Sequence, residues 1–125
     1  MTKNEDMVRN MATNFQTKGL EVISAKCNGF TEPVDVQGVK PDVVGWDSEQ
    51  EVYHLGIVAD SETILHDSTK EKMQVLAKMA MGVGPSQGKR LPFYVGVTKD
   101  ANTVADKKLE ELDHITRENI EKILI

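Results

Sequence analysis

Lys40-Pro41-Asp42-Val43-Val44-Gly45-Trp46, then Asp47-Ser48-Glu49-Gln50, then Glu51-Val52-Tyr53-His54-Leu55-Gly56-Ile57-Val58-Ala59-Asp60-Ser61-Glu62-Thr63, read as two strands joined by a polar turn. Asp and Ser are frequent turn residues because their short side chains bond the neighbouring backbone. Asp42 opens the first strand, and Asp60 and Glu62 close the second. Side chains in a strand alternate faces, so Asp60 and Glu62 are predicted to point the same way. If the two strands are neighbours, Asp42 reaches that face too. Three carboxylates gathered at strand ends repel one another unless a cation lies among them, and hard oxygen donors suit Mg²⁺ or Mn²⁺.

The elements around this stretch decide how it is used. Residues 4–18 read as a helix with Val8, Met11, Ala12 and Phe15 on one face, stopped by Gly19. A strand is predicted over 20–26. Residues 28–39 form a loop interrupted by Pro33, in which Lys26, Asn28, Thr31 and Lys40 are candidates to touch a substrate or simply to solvate a connection. The apolar run over 51–60 marks a central strand. A helix over 66–81, capped by Asp67 or Ser68, buries Met73, Leu76, Ala77 and Ala80. Met73, Met79 and Met81 read as adaptable core filler. A strand over 92–97 follows, and the strand–helix–strand order makes the third and fourth strands parallel. Helices over 100–114 and 116–125 complete the chain. The expected sheet is mixed and four-stranded.

Residues 40–63, with this element order, resemble the PD-(D/E)xK nuclease superfamily, the restriction-endonuclease-like fold. Pro41-Asp42 matches the PD, and Asp60-Ser61-Glu62 stands in the place of (D/E)xK, with Glu62 where the family has lysine. The whole order, α-β-β-β-α-β-α, matches the common core of that fold, in the style of small archaeal Holliday-junction resolvases. The resemblance implies an α/β domain over 1–125 that hydrolyses DNA phosphodiester bonds with Mg²⁺ or Mn²⁺ held by Asp42, Asp60 and Glu62. These three are the predicted catalytic residues. Lys40, Lys70, Gln74, Lys89 and Arg90 are candidates for substrate contacts, and Lys70 is the nearby candidate to replace the missing lysine charge. Junction or double-strand cleavage needs two sites, which favours a homodimer. The alternative is a catalytically inactive nuclease-fold domain that serves as a dimerisation or partner-binding module.

Competing readings bear on each residue. Asp42 after Pro41 also suits the turn before a strand, and Asp60-Ser61-Glu62 also suits a solvated strand end. The chain has 20 acidic residues, enough for chance neighbours. His66 reads better as an exposed helix-start residue than as part of a site. Gly88-Lys89-Arg90 ends a glycine-rich loop but is not a phosphate loop: Val83 and Arg90 occupy positions that G-x-x-x-x-G-K-[ST] reserves for Gly and for Ser or Thr. The net charge of −5 argues against a tight, sequence-blind DNA binder. The composition, 39% hydrophobic and 28% charged, is that of an ordinary soluble domain. The acidic start lacks the apolar core of a signal peptide, no run is long enough to span a bilayer, and the lone Cys27 fits a reducing compartment. A cytoplasmic location is expected, with Cys27 a small buried or half-buried thiol.

Overall fold

The computed structural model describes residues 3–125. Met1 and Thr2, which the predicted domain and the acidic start include, lie outside the described residues. The helix α1 (Lys3–Thr17) ends at Gly19, whose φ of 87° is the left-handed stop expected of it. Three strands follow: β1 (Glu21–Ala25), β2 (Val43–Asp47) and β3 (Val52–Ala59). After a 3₁₀ turn at Thr63–Leu65 come α2 (Asp67–Leu76), β4 (Phe93–Val97), α3 (Asn102–Glu110), α4 (His114–Arg117) and β5 (Ile120–Leu124). The chain is therefore α/β, with one mixed sheet flanked by helices. The sheet runs β1-β2-β3-β4-β5; the first two pairings are antiparallel and the last two parallel. The β2–β3 hairpin and the parallel β3–β4 pair were both expected.

The strand count was not. The sheet has five strands, because residues 120–124, expected within a helix, pair in parallel with β4. The stretch Ile-Glu-Lys-Ile-Leu has its apolar residues at helical spacing, and the tertiary partner overrides that local preference. Asn119 fixes the switch: its amide donates to the carbonyls of Ala77 and Leu91, both at 2.9 Å. The cap of α4 is Asp113, whose carboxylate accepts from the Thr116 amide and hydroxyl. The helix predicted over 66–81 stops at Leu76 because the chain beyond it pairs with residues 89–91, the Leu91 amide donating to Met79 and the Met81 amide to Lys89. Its N-cap is His66, which makes no side-chain cap bond, so the predicted Asp67 or Ser68 cap is not formed. The helix predicted over 100–114 is a 3₁₀ turn at Lys99–Ala101 followed by α3.

Each sheet face has its own core. Against one face α1 packs Val8, Met11 and Phe15 over Val43, Val58 and Tyr94. On the other, Leu55, Ile57, Ala59, Phe93, Val95 and Val97 meet Met73 and Leu76 of α2 and Ala77 just after it, with Met79 and Met81 filling in as expected. Side chains of β3 thus alternate: Gly56 and Val58 face α1, while Leu55, Ile57 and Ala59 face α2.

Candidate functional site

Asp42 lies just before β2, held by its backbone: its amide donates to the Gly56 carbonyl at 2.8 Å, and its carbonyl accepts from the Lys26 amide at 2.9 Å. The carboxylate turns toward β3, where Oδ2 accepts the Val58 amide at 2.9 Å. Only 5% of the residue is exposed. Burial pushes its pKa up; the Val58 N–H and the positive charges of Lys72 and Lys26 act the other way.

Asp60 is oriented by its own turn. Its Oδ1 accepts the amides of Glu62 at 3.0 Å and Thr63 at 2.8 Å, and the Thr63 hydroxyl at 3.1 Å. Such local bonding lets a short acidic side chain end a strand. β3 closes at Ala59, so the two-residue alternation expected to align Asp60 with Glu62 does not reach them. Glu62 is exposed in a helical backbone conformation, φ −89° and ψ −54°. Among the described residues, no three His, Cys, Asp or Glu side chains are gathered so as to hold a metal ion. Asp42 is bonded to a strand amide, Asp60 within its own turn, and Glu62 is exposed.

The candidate substrate contacts are scattered. Lys40 pairs with Glu32 at 3.5 Å. Lys70 lines a cleft of about 140 Å³ with His66, Asp67, Lys108 and Glu111. Gln74 is half-buried on α2, and Lys89 is exposed. Arg90 Nη1 donates to the Ile115 carbonyl at 2.9 Å and faces Glu118 at 3.5 Å, which commits it to α4. The cation that does reach Asp42 from α2 is Lys72. Its signal was helical phase: Lys72 lies one turn before the buried Leu76, on the side turned to the sheet.

Two further features were not read from the sequence. The first is an apolar groove of about 380 Å³ between the β1–β2–β3 face and the loop before β2, lined by Ile23, Val34, Val36, Val44, Tyr53, Leu55, Met79 and Leu91 among others. Ile23, Tyr53 and Val34 are 42%, 40% and 75% exposed. Trp46 packs on Tyr53, ring centroids 4.7 Å apart, on the same sheet face. The second is a polar cluster on the opposite face. His54 Nδ1 lies 3.0 Å from the Tyr94 hydroxyl, Asp47 Oδ2 lies 3.8 Å from His54 Nε2, and the Lys18 ammonium lies 5.3 Å from the centre of the Tyr94 ring. Burial raises the Tyr94 pKa and lowers that of His54. Cys27 is half-buried.

Comparison with protein-family models, curated proteins and solved structures found no match. Among the described residues, no helix is long and apolar enough to cross a membrane.

Proposed function

We propose that the chain is a variant of the restriction-endonuclease-like fold that has left phosphodiester chemistry and binds an extended segment of another protein. The observation that carries this is the apolar groove beside an open sheet edge. The order α-β-β-β-α-β is present, with β5 added, which supports the fold assignment. β1 is an end strand of the sheet, and among the described residues no strand pairs with its outer edge, although the Ala25 amide at its end bonds the Thr31 carbonyl. Ile23 and Ser24 of that strand line the groove. An edge that offers backbone groups next to an apolar pocket suits strand addition: main-chain bonds give affinity and alternate side chains fill the pocket.

Charge selects the occupant. Glu21 shares the face of Trp46, Asp35 stands between Val34 and Val36, and Glu51 precedes the Tyr53 strand; all three acids are exposed. The one acid lining the groove, Glu32, has Lys40 beside it. An apolar segment flanked by Lys or Arg complements this rim. A second copy would set two acidic rims together, on a chain whose net charge is −5.

The single tryptophan reports on the groove. Titration with a peptide of alternating valine and lysine should change Trp46 fluorescence saturably, weaken with added salt, and be lost in Ile23→Lys and Val34→Asp. A valine–glutamate peptide should give no change. Equal responses to both peptides, or none, overturn the reading. So does light scattering that shows a dimer abolished by Val34→Asp, which would give the face to a second copy.

A metal-dependent deoxyribonuclease is the second reading, and Asp42 favours it: buried carboxylates with raised pKa values concentrate at functional sites. Nicking of supercoiled plasmid in Mg²⁺ or Mn²⁺, abolished by Asp60→Ala, would establish it.

A further inference from the structure

We infer that the (D/E)xK tripeptide of the nuclease pattern falls, in this chain, on Ile57-Val58-Ala59, and that two buried apolar side chains stand where its acid and its lysine belong. The inference rests on the nuclease-like fold proposed above and not on the groove.

Three observations place the tripeptide. Val43 pairs with Gly56 at the end of the β2–β3 ladder, and Asp42 stands one residue beyond it. The Asp42 amide donates to the Gly56 carbonyl and its Oδ2 accepts the Val58 amide, so the residue bridges the peptide groups on either side of Ile57. Ile57 and Ala59, two residues apart, both belong to the α2-side core, while Val58 belongs to the α1-side core. A strand tripeptide that presents its outer two residues beside the PD aspartate therefore has Ile57 first and Ala59 last, with 1% and 0% exposure. Asp60-Ser61-Glu62 lies past the strand end, and the Asp60 carboxylate is bonded within its turn.

The chemistry follows. A hard divalent cation held by the protein itself takes oxygen ligands, and a second carboxylate beside Asp42 would strengthen its hold. Here Asp42 has isoleucine between the peptide groups it bonds and alanine two residues further on. A branched hydrocarbon fills the volume a second acid and the ion would occupy. Asp42 is left as a structural carboxylate that accepts the Val58 amide where β2 begins, with the charges of Lys72 and Lys26 acting on it.

Melting curves with and without millimolar Mn²⁺ on four proteins test this: wild type, Asp60→Asn, Ile57→Glu, and Ile57→Glu combined with Asp42→Asn. Wild type and Asp60→Asn should show no metal-dependent shift. Ile57→Glu should melt lower without metal and regain several degrees with it, and the Asp42→Asn background should erase that gain. A wild-type shift that Asp60→Asn removes overturns the inference, as does a folded Ile57→Glu that ignores Mn²⁺. Where Ile57→Glu does not fold, Mn²⁺ broadening of wild-type amide resonances decides: broadening centred on Glu62 and Thr63 overturns the placement, and its absence there upholds it. The peptide titration tests the groove separately, so either reading can fail alone.

Discussion

On one face of the sheet α1 lies so close that a side chain has no room: a Cβ built on Gly45 would come 2.8 Å from the Phe15 ring, and one on Gly56 3.0 Å. On the other face, Ile23 and Tyr53 stand about two-fifths exposed with Val34 beyond them. Both faces belong to the same three strands. Close packing excludes water along the first, where dispersion contacts and burial are fully used. The second keeps apolar surface that folding did not bury, a feature characteristic of binding surfaces. The comparison separates residues that hold the fold from residues free to serve a partner, and mutations should sort accordingly.

The sealed face should give the largest effect. Phe15 is fully buried, with its ring 5.3 Å from Tyr94 in an edge arrangement. Phe15→Ala should cost about 3–5 kcal/mol in chemical denaturation, a large part of a domain's total stability of about 5–15 kcal/mol. Gly45→Ala should cost about 1–3 kcal/mol by overpacking, and less in a Phe15→Leu background, where the contact is relieved. Additive losses in that double-mutant cycle would show that Gly45 is needed for its backbone and not for the approach of α1. On the open face, Val34→Asp should leave stability unchanged within about 0.5 kcal/mol.

The β2–β3 hairpin was readable because its signals are local: alternating apolar residues, and Asp47, whose Oδ1 accepts the amides of Glu49 and Gln50. The end of β3 was less so. An Asp with a Thr three residues on marks a turn, but the apolar run preceding Asp60 suggested that the strand continued through Glu62. β5 and the place of Ile57 were not readable, since each depends on a register between distant segments. Pro41-Asp42 announced a special carboxylate; which side chains face it was a tertiary fact.

Asp42 sits between the two regimes, buried like the sealed face yet ionisable. The sign of its pH effect follows from the direction of its shift. Its folded pKa is raised above the usual 3.8, so its stabilising contribution is full below that value and is lost as pH rises through the folded pKa. Asparagine keeps an acceptor for the Val58 amide and carries no charge. Asp42→Asn should therefore melt with the wild type below about pH 3.8 and above it at neutral pH, with each unit of the original shift worth about 1.4 kcal/mol. A variant less stable than wild type at pH 7 would show that the charge is compensated, through Lys72 and Lys26.

The smallest effect is expected where the sealed face meets solvent, at His54. A neutral ring with its hydrogen on Nε2 accepts the Tyr94 hydroxyl at Nδ1. Protonation puts a charge in a half-buried place: burial opposes it most, the nearby Lys18 ammonium adds to the opposition, and the Asp47 carboxylate favours it. The folded pKa is thus below the usual 6.5, so the unfolded chain takes up the proton first. Stability from this site is full above pH 6.5 and is lost as pH falls through the folded pKa. His54→Gln should flatten the melting temperature between pH 7 and about pH 5, apart from what the carboxylates contribute. Asp47→Asn should act oppositely, deepening the acid loss by removing the charge that favours the protonated ring. Equal acid sensitivity in wild type and His54→Gln would place the titrating group elsewhere and leave the His54–Tyr94 pair as packing alone.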